Sequence, residues 1–391
     1  MRIAVIEIAP FGGLLHYAVQ LGDALAERGD DVDLVIPAEN ELSGRDGAAR
    51  RLAVLPPWLT QPRGDEGRLA ILRRRAGALL WRLATWRQII RTVRRGRYDA
   101  VILNGSIDLS LTAVAALALI RLARGARVTH VCHNVRPFNR WAGSELFATS
   151  RSLVALLRRV YPRFALVFVH GPRSRAEFEQ LWPGARLVEI PHGDESVFAD
   201  AAPPPAGEPR VLFFGDWRRV KGLPVLMQAF DLLLARRPDA RLTIAGSPSP
   251  EEGGDKAVLA WADGRDAVEV IARYVPLEDV PGLFGRARVV ATPYLVGFQS
   301  GVVHLAMTMG RAVVATDVGD LPEAVEDGVT GVIVPPGDPQ ALAAALDELL
   351  GDPGRACALG DAGRARMLGA SSWSAVAERV DKALAGHDAE L

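Results

Sequence analysis

Val211-Leu-Phe-Phe-Gly-Asp-Trp-Arg-Arg-Val-Lys-Gly-Leu223 decides how the rest of the chain is read. Val211–Phe214 is wholly apolar, as expected of a strand covered on both faces in a parallel sheet. Gly215 ends that run, and a helical stretch near 222–236 follows it. The same strand–turn–helix alternation continues outward in both directions. Towards the C-terminus, Arg241–Ala245, Val268–Ile271, Val289–Thr292, Ala312–Thr316 and Val332–Val334 read as strands, with helices near 257–263, 300–309 and 338–350. Towards the N-terminus, Ile3–Ile8, Asp31–Pro37, Ala100–Leu103, Arg127–His130 and Leu166–His170 read as strands. Gly12-Gly13 turns the first of these into a helix over roughly 14–28, ended by Gly29. Repeated βα units predict an α/β protein built on doubly wound parallel sheets.

Two such sheets fit the length better than one, since 391 residues exceed what a single core serves. Ala201–Pro209 is a proline-rich connector without periodicity. The expected organisation is a Rossmann-like domain over 1–200, a linker over 201–209 and a second Rossmann-like domain over 210–370. Residues 371–391 form a closing helix that is able to return to the first domain. Ligands of such sheets bind beyond the carboxyl ends of the strands, here expected in a cleft between the domains.

Composition narrows the classes. With 49% hydrophobic and 24% charged residues the chain is neither disordered nor fibrous. Cys132 and Cys357 form no framework or metal spacing, which fits a reducing cytoplasm. Glu7 and Pro10 interrupt the first apolar run, so it reads as a strand and not a signal peptide. Leu109–Ile120, at 12 residues, is too short to span a bilayer. The net charge of zero hides a split: residues 1–200 hold 28 arginines against 20 acids, the remainder 18 basic residues against 26 acids. The N-terminal half is therefore expected to meet something anionic. Only Lys221, Lys256 and Lys382 stand against 43 arginines, which makes a lysine kept inside a glycine-rich turn informative.

That lysine marks the first candidate site. A pyrophosphate fits the turn after Phe214, against backbone N–H groups and a helix start, with Arg218 and Lys221 neutralising it. The same pair would stabilise a departing diphosphate in the transition state. A surface turn with solvated charges explains these residues equally well in isolation. Gln299-Ser300-Gly301, between a strand and an apolar helix, is a second anion cradle, with Ser300 as a plain N-cap the alternative. Two cradles in one domain favour the functional reading.

Here a resemblance becomes specific. Lys221-Gly-Leu, Ala306-Met-Thr-Met-Gly-Arg-Ala-Val-Val-Ala-Thr-Asp-Val-Gly-Asp-Leu-Pro-Glu323, Glu326-Asp-Gly-Val-Thr-Gly331 and Val334-Pro-Pro-Gly-Asp338 resemble the C-terminal domain of family four retaining glycosyltransferases. Pro10-Phe-Gly-Gly13, His133-Asn-Val-Arg-Pro137 and Ile190-Pro-His-Gly193 resemble their N-terminal half. The resemblance implies the GT-B fold, two Rossmann-like domains facing across a cleft, and a nucleotide-sugar donor. In it, Gly215, Arg218 and Lys221 match a branch reading Gly-x-x-Arg-x-x-Lys-Gly; the commoner form has arginine where this chain has Asp216. Two family glutamates fall on Gly297 and Leu305 and are missing. The chain resembles a branch in which Gln299, Ser300, Gly301 and Val302 hold the phosphates. His133 matches a histidine near the donor sugar, Gly12 and Gly13 admit close backbone approach, and Arg273-Tyr274-Val275 matches the loop at the nucleotide base. His304, next to the missing ribose carboxylate, reads as a core or surface histidine ahead of a ligand contact. In such enzymes the leaving diphosphate helps deprotonate the acceptor, so no side-chain nucleophile is required.

The implied function is transfer of a hexose-type sugar to a glycan or lipid-linked acceptor in polysaccharide or glycoconjugate biosynthesis. No cofactor or metal is expected, because no metal-ligand cluster is visible. Over 68–96, Leu72, Ala76, Leu79, Leu83, Trp86, Ile90 and Val93 form a helical apolar stripe among arginines, with Trp58 and Trp81 nearby. Such a helix either packs on its own sheet or rests peripherally on the anionic inner face of the membrane, with the protein cytoplasmic. Nucleic acid is not expected as a partner. Two rivals stay open: a catalytically inactive GT-B nucleotide-sugar-binding subunit, and a sugar-nucleotide epimerase, which would need further acid–base carboxylates. A nicotinamide dehydrogenase is disfavoured, because Pro10-Phe-Gly-Gly13 lacks the dinucleotide fingerprint.

Overall fold

The computed structural model describes residues 1–57, 68–105, 107, 109–137, 150–198, 208–248, 254–297 and 299–386. They form two compact units, Met1–Ile190 with Trp373–Leu391, and Pro191–Ser372.

The first unit runs β1 (Arg2–Ile6), α1 (Gly13–Glu27), β2 (Asp31–Pro37), β3 (Arg50–Leu55), α2 (Arg68–Gly96), β4 (Ala100–Leu103), α3 (Ser110–Leu122), β5 (Arg127–Val131), α4 (Arg151–Val160), β6 (Val167–Val169), α5 (Pro172–Leu181) and β7 (Leu187–Glu189). Its seven strands are all parallel, in the order β3-β2-β1-β4-β5-β6-β7. Ile3, Ala4, Val5 and Ile6 are wholly buried, as the unbroken apolar run required. β3 carries no such run because it is an edge strand with half its side chains in solvent, and sequence reading missed it. Its Arg50 instead grips the buried Asp33 carboxylate, Nη2 to Oδ2 at 2.7 Å. The three-residue β7 was also missed.

The apolar stripe expected along α2 is corrected. Trp86, Ile89 and Val93 are buried, whereas Leu79 and Leu83 are exposed. The helix packs through its C-terminal half, so its N-terminal turns leave apolar residues uncovered. Trp81 is tied to the Pro57 carbonyl at 2.8 Å, and Trp58 lies outside the described residues.

The second unit runs β8 (Arg210–Phe214), α6 (Leu223–Leu234), β9 (Arg241–Ala245), α7 (Gly254–Ala262), β10 (Val268–Ile271), α8 (Val280–Arg286), β11 (Val289–Thr292), α9 (Gly301–Thr308), β12 (Ala312–Thr316), α10 (Leu321–Ala324), β13 (Val332–Val334), α11 (Pro339–Gly351) and α12 (Pro353–Leu368). Six parallel strands lie in the order β10-β9-β8-β11-β12-β13. α6 packs on α11, burying Leu226, Phe230 and Leu233 completely, at about 1.5–3 kcal/mol each. Asp338 and Asp352 cap α11 and α12 through their side chains, each ahead of a proline at the first helical position.

The second unit begins ahead of the proline-rich stretch. The Glu195 amide donates to Thr308 Oγ1 at 3.1 Å, and Phe198 packs on this unit's core. Residues 201–207 of the expected linker lie outside the described residues. The last helix, α13 (Trp373–Ala385), belongs to the first unit. Trp373 meets the Tyr17 ring edge-on at 4.9 Å, and Arg28 pairs with Asp381 at 2.7 Å.

Each sheet reverses its strand order once, between β1 and β4 and between β8 and β11. Those switch points open a crevice at the carboxyl ends of the strands, where ligands of doubly wound sheets bind.

Candidate functional site

In the second unit the backbone builds the site first. Gly215, at φ +122°, carries the chain out of β8, with its N–H on the Ala245 carbonyl at 3.0 Å. Gly222, at φ +68°, ends the short turn Arg219–Lys221 and starts α6. A Cβ at Gly222 would lie 1.7 Å from the Pro293 carbonyl oxygen, so only glycine lets these loops touch. The Leu295 amide donates to the Val220 carbonyl at 2.8 Å, fastening the turn after β8 to the loop after β11.

Side chains predicted from sequence converge on that frame. Lys221 Nζ stands 3.7 Å from the centroid of the Tyr294 ring, a cation–π contact that fixes the ammonium without neutralising it. The Tyr294 hydroxyl lies 3.0 Å from Ser300 Oγ. Val302 Cγ2 lies 3.7 Å from where a Cβ on Gly215 would stand. The two cradles are therefore one locus, across the switch point from β8 to β11. Arg218 is paired with Asp216 at 2.8 Å.

Ser300 is buried and caps α9, accepting the Val303 N–H at 3.4 Å. Its hydroxyl serves the helix and Tyr294, so what α9 offers an anion is the N-terminal backbone at Gly301 and Val302. Gln299 is half-buried beside it, and Phe298 lies outside the described residues. A Cβ at Gly301 would lie 3.1 Å from Glu195 Oε1, which places a carboxylate at the start of α9. His304 is core: Nδ1 donates to the Ser300 carbonyl at 2.9 Å, the ring stacks on His192 at 4.4 Å, and burial pulls its pKa down to about 4. Leu305 is buried in the apolar core.

Arg273 and Val275 line a cavity of about 440 Å³ with Ile271, Asp279 and Leu283, at the end of β10. Arg273 reaches Asp279 at 3.4 Å, and Tyr274 is exposed.

In the first unit, Gly12, at φ +81°, precedes α1, and a Cβ on Gly12 or Gly13 would meet nothing within 4 Å. The Gly12 N–H donates to the Glu41 carboxylate, which His16 also meets. His133 sits at the end of β5, with Nε2 2.9 Å from Asn104 Oδ1. Asn104 Nδ2 donates to Glu7 Oε2 at 2.6 Å and to the Leu14 carbonyl at 2.9 Å, so its oxygen faces the histidine. His133 thus donates from Nε2 and carries its lone pair on Nδ1. Burial, then the neighbouring His170 and His130, hold its pKa well below the usual histidine range. It is a neutral imidazole suited to accepting a hydrogen bond. Burial raises the Glu7 carboxyl, which meets the Ile8 and Ala9 amides at 2.7 Å each.

Sequence reading passed over Glu7, Asn104, Glu195 and Asp216 as a partner of Arg218. Two had a legible signal: Glu7 and Asn104 are single polar residues closing apolar strands at the switch point. Among the described residues, no helix is long and apolar enough to cross a membrane.

Comparison with known proteins agrees with this construction. Residues 208–352 match the family described as Glycosyl transferases group 1, and residues 11–194 match Glycosyltransferase Family 4. The chain is 32% identical over 250 residues to the alpha-maltose-1-phosphate synthase of Mycolicibacterium smegmatis, covering 61% of this chain and 62% of that one. It is 29% identical over 377 residues to the phosphatidyl-myo-inositol mannosyltransferase of the same organism, covering 90% and 85%. Sucrose-phosphate synthase from Thermosynechococcus elongatus superposes with a TM-score of 0.75 at 22% identity, over all of both chains. Anabaena HepE, in complex with UDP and glucose, superposes at 0.71 and 19%, over 99% of this chain and 100% of that one. Those likenesses show the GT-B fold, and with a matching domain in each doubly wound unit the chain belongs to the family four glycosyltransferases.

Proposed function

We propose that the chain is a retaining glycosyltransferase that takes a hexose-type sugar from a nucleoside-diphosphate donor to a glycan or lipid-linked acceptor. One observation carries this reading: the turn after β8 that bears Arg218 and Lys221 lies against the N-terminus of α9, through Lys221 on Tyr294, Tyr294 on Ser300 and Gly215 beside Val302. Two cations and a row of helix amides suit a diphosphate that gains charge as the sugar–phosphate bond breaks. Gly215 and Val302 shape the approach, and the cavity beside Arg273 and Val275 takes the base. His133 accepts a hydrogen bond from a sugar hydroxyl, held in its tautomer by Asn104. Turnover needs no metal, and chelator leaves it unchanged.

The acceptor side rests on α2. Leu79, Leu80 and Leu83 are 49%, 65% and 47% exposed on an arginine-rich helix, which supports peripheral contact with an anionic membrane at its cytoplasmic face. The 29% identical mannosyltransferase of phosphatidyl-myo-inositol is consistent with a lipid acceptor.

The test is thermal stabilisation by UDP, GDP, ADP and TDP, repeated on Lys221→Ala. Specific stabilisation by one diphosphate, lost in the variant, supports the donor site. No shift with any of them overturns it in favour of an inactive scaffold.

A further inference from the structure

A second basic site lies at the amino ends of two inner strands of the first unit's sheet. Arg87, Arg91, Arg94, Arg95, Arg97 and Arg124 line a cleft of about 570 Å³ where α2 ends and α3 turns into β5. The donor chemistry sits beyond the carboxyl ends of strands, whereas this cleft borders the segments leading into the amino ends of β4 and β5.

Three features separate it from an ordinary solvated face. First, acids are scarce along the helices that build it; Asp99, two residues beyond Arg97, accepts the Arg2 amide at 2.7 Å. Residues 67–98 hold ten arginines and no Asp or Glu, and residues 109–144 are also free of acids. α2 packs on α3 and α3 on α4, so these acid-free helices lie side by side. Second, none of the six guanidinium groups has a hydrogen bond or ion pair among the described residues. Third, Arg97 and Arg124, at φ +51° and +53°, are the two non-glycine residues at positive φ among the described residues. That conformation costs about 1–2 kcal/mol for a residue with a Cβ. Gly96 precedes Arg97, and Gly125 follows Arg124 at φ +93°, so the turn into β5 holds two successive residues at positive φ, the first of them an arginine. At Arg97 the strain is enforced: the Tyr98 ring folds back over Gly96, and its hydroxyl bonds the buried Asp33 carboxylate at 2.6 Å. Strain that its surroundings enforce concentrates at ligand sites.

We propose that this cleft binds a ligand with clustered phosphate groups. Guanidinium forks pair bidentately with phosphate oxygens, and the volume suits a small oligophosphate or a phosphorylated headgroup. The site is independent of the donor turn.

Sodium tripolyphosphate is the probe, titrated calorimetrically into the full chain. The Lys221→Ala background removes the rival diphosphate turn. There, one salt-sensitive site is expected, weakened at least tenfold by Arg97→Gly with Arg124→Gly. The unliganded thermal midpoint of that double variant is unchanged or higher, since glycine accepts both conformations. Arg91→Gln with Arg94→Gln, which leaves the turns intact, shows the same loss. Undetectable binding in the Lys221→Ala background, or binding by both double variants as tight as in that background, overturns the proposal. The source is read from phosphatidylglycerol vesicles: release of bound protein by tripolyphosphate identifies a lipid headgroup, and unaffected sedimentation identifies a soluble oligophosphate.

Discussion

Replacing Asp216 by asparagine tightens diphosphate binding. Asp216 Oδ2 lies 2.8 Å from Arg218 Nη2, with side-chain exposures of 41% and 33%. In the absence of donor the carboxylate occupies the charge that the phosphates require. An ion pair this exposed is worth about 0.2–1 kcal/mol. Once a diphosphate is seated, the same carboxylate repels it; at about 6 Å in a water-like dielectric that adds roughly 0.7 kcal/mol per charge pair. Removing both terms, about 0.9–1.7 kcal/mol together, predicts a roughly five- to twentyfold lower Kd for UDP or the preferred diphosphate. Asparagine keeps the shape of the side chain, so the turn survives. Calorimetric titration of wild type, Asp216→Asn, Arg218→Ala and the double variant forms a cycle. The gain from asparagine should shrink in the Arg218→Ala background, where only the repulsion remains, and should also shrink at 0.5 M salt. An unchanged or weaker Kd in Asp216→Asn would show that the carboxylate positions Arg218 instead of competing for it.

Lys221→Ala should lower kcat/KM at least roughly tenfold, the scale of one lost transition-state contact, and steady-state kinetics equal to wild type would remove Lys221 from the diphosphate site. Asn104→Leu takes away the acceptor that fixes the His133 tautomer and one donor from Glu7, so stability falls by about 1–3 kcal/mol. Nitrogen chemical shifts of His133 should then show a mixed tautomer, and a single retained tautomer would refute the relay. His130 and His304 both have folded pKa values of about 4 because they are buried. Those values lie below the unfolded 6.5, so the stabilisation is complete above pH 6.5 and drains away as pH falls to 4, by up to about 3 kcal/mol for each. Urea denaturation at pH 7, 5.5 and 4.5 measures it, and His304→Gln should flatten part of the slope.

Much of the fold was legible because its strands are buried on both faces. Val211–Phe214, Arg241–Ala245 and Ala312–Thr316 announce themselves as apolar runs, and glycines mark where each turn must pass backbone against backbone. β3 carried no such mark: at an edge, half its residues meet solvent, and Arg50 is held by an ion pair that sequence spacing does not encode. The stripe on α2 failed for a related reason. Periodicity reports which residues share a face, but Leu79 and Trp86 share one without sharing a neighbour. Within the site, Arg218, Lys221 and Ser300 were readable as residue types at turn positions. That Ser300 spends its hydroxyl on α9, and that Glu7 and Asn104 hold His133, depends on strands adjacent in the sheet and distant in sequence.

The two missing family glutamates carry most of the case for an inactive scaffold, and the three-dimensional arrangement weakens that case. Gly297 and Leu305 supply no carboxylate, and Leu305 is buried in the apolar core. Acidity is nevertheless present at the same locus, delivered from other elements: Glu195 Oε1 beside Gly301 at the start of α9, and Asp216 on Arg218. The first unit repeats the pattern, with Glu41 on the Gly12 amide ahead of α1. A carboxylate at a helix N-terminus is worth about 0.3–1 kcal/mol, enough to hold the cradle in shape and little enough for a doubly charged diphosphate to displace. Gly297 and Leu305 supply no carboxylate, but Glu195 and Asp216 bring two to the same neighbourhood. Two cations and a row of helix amides at one locus are the parts that charge development on a leaving diphosphate would demand, and neither depends on the missing glutamates.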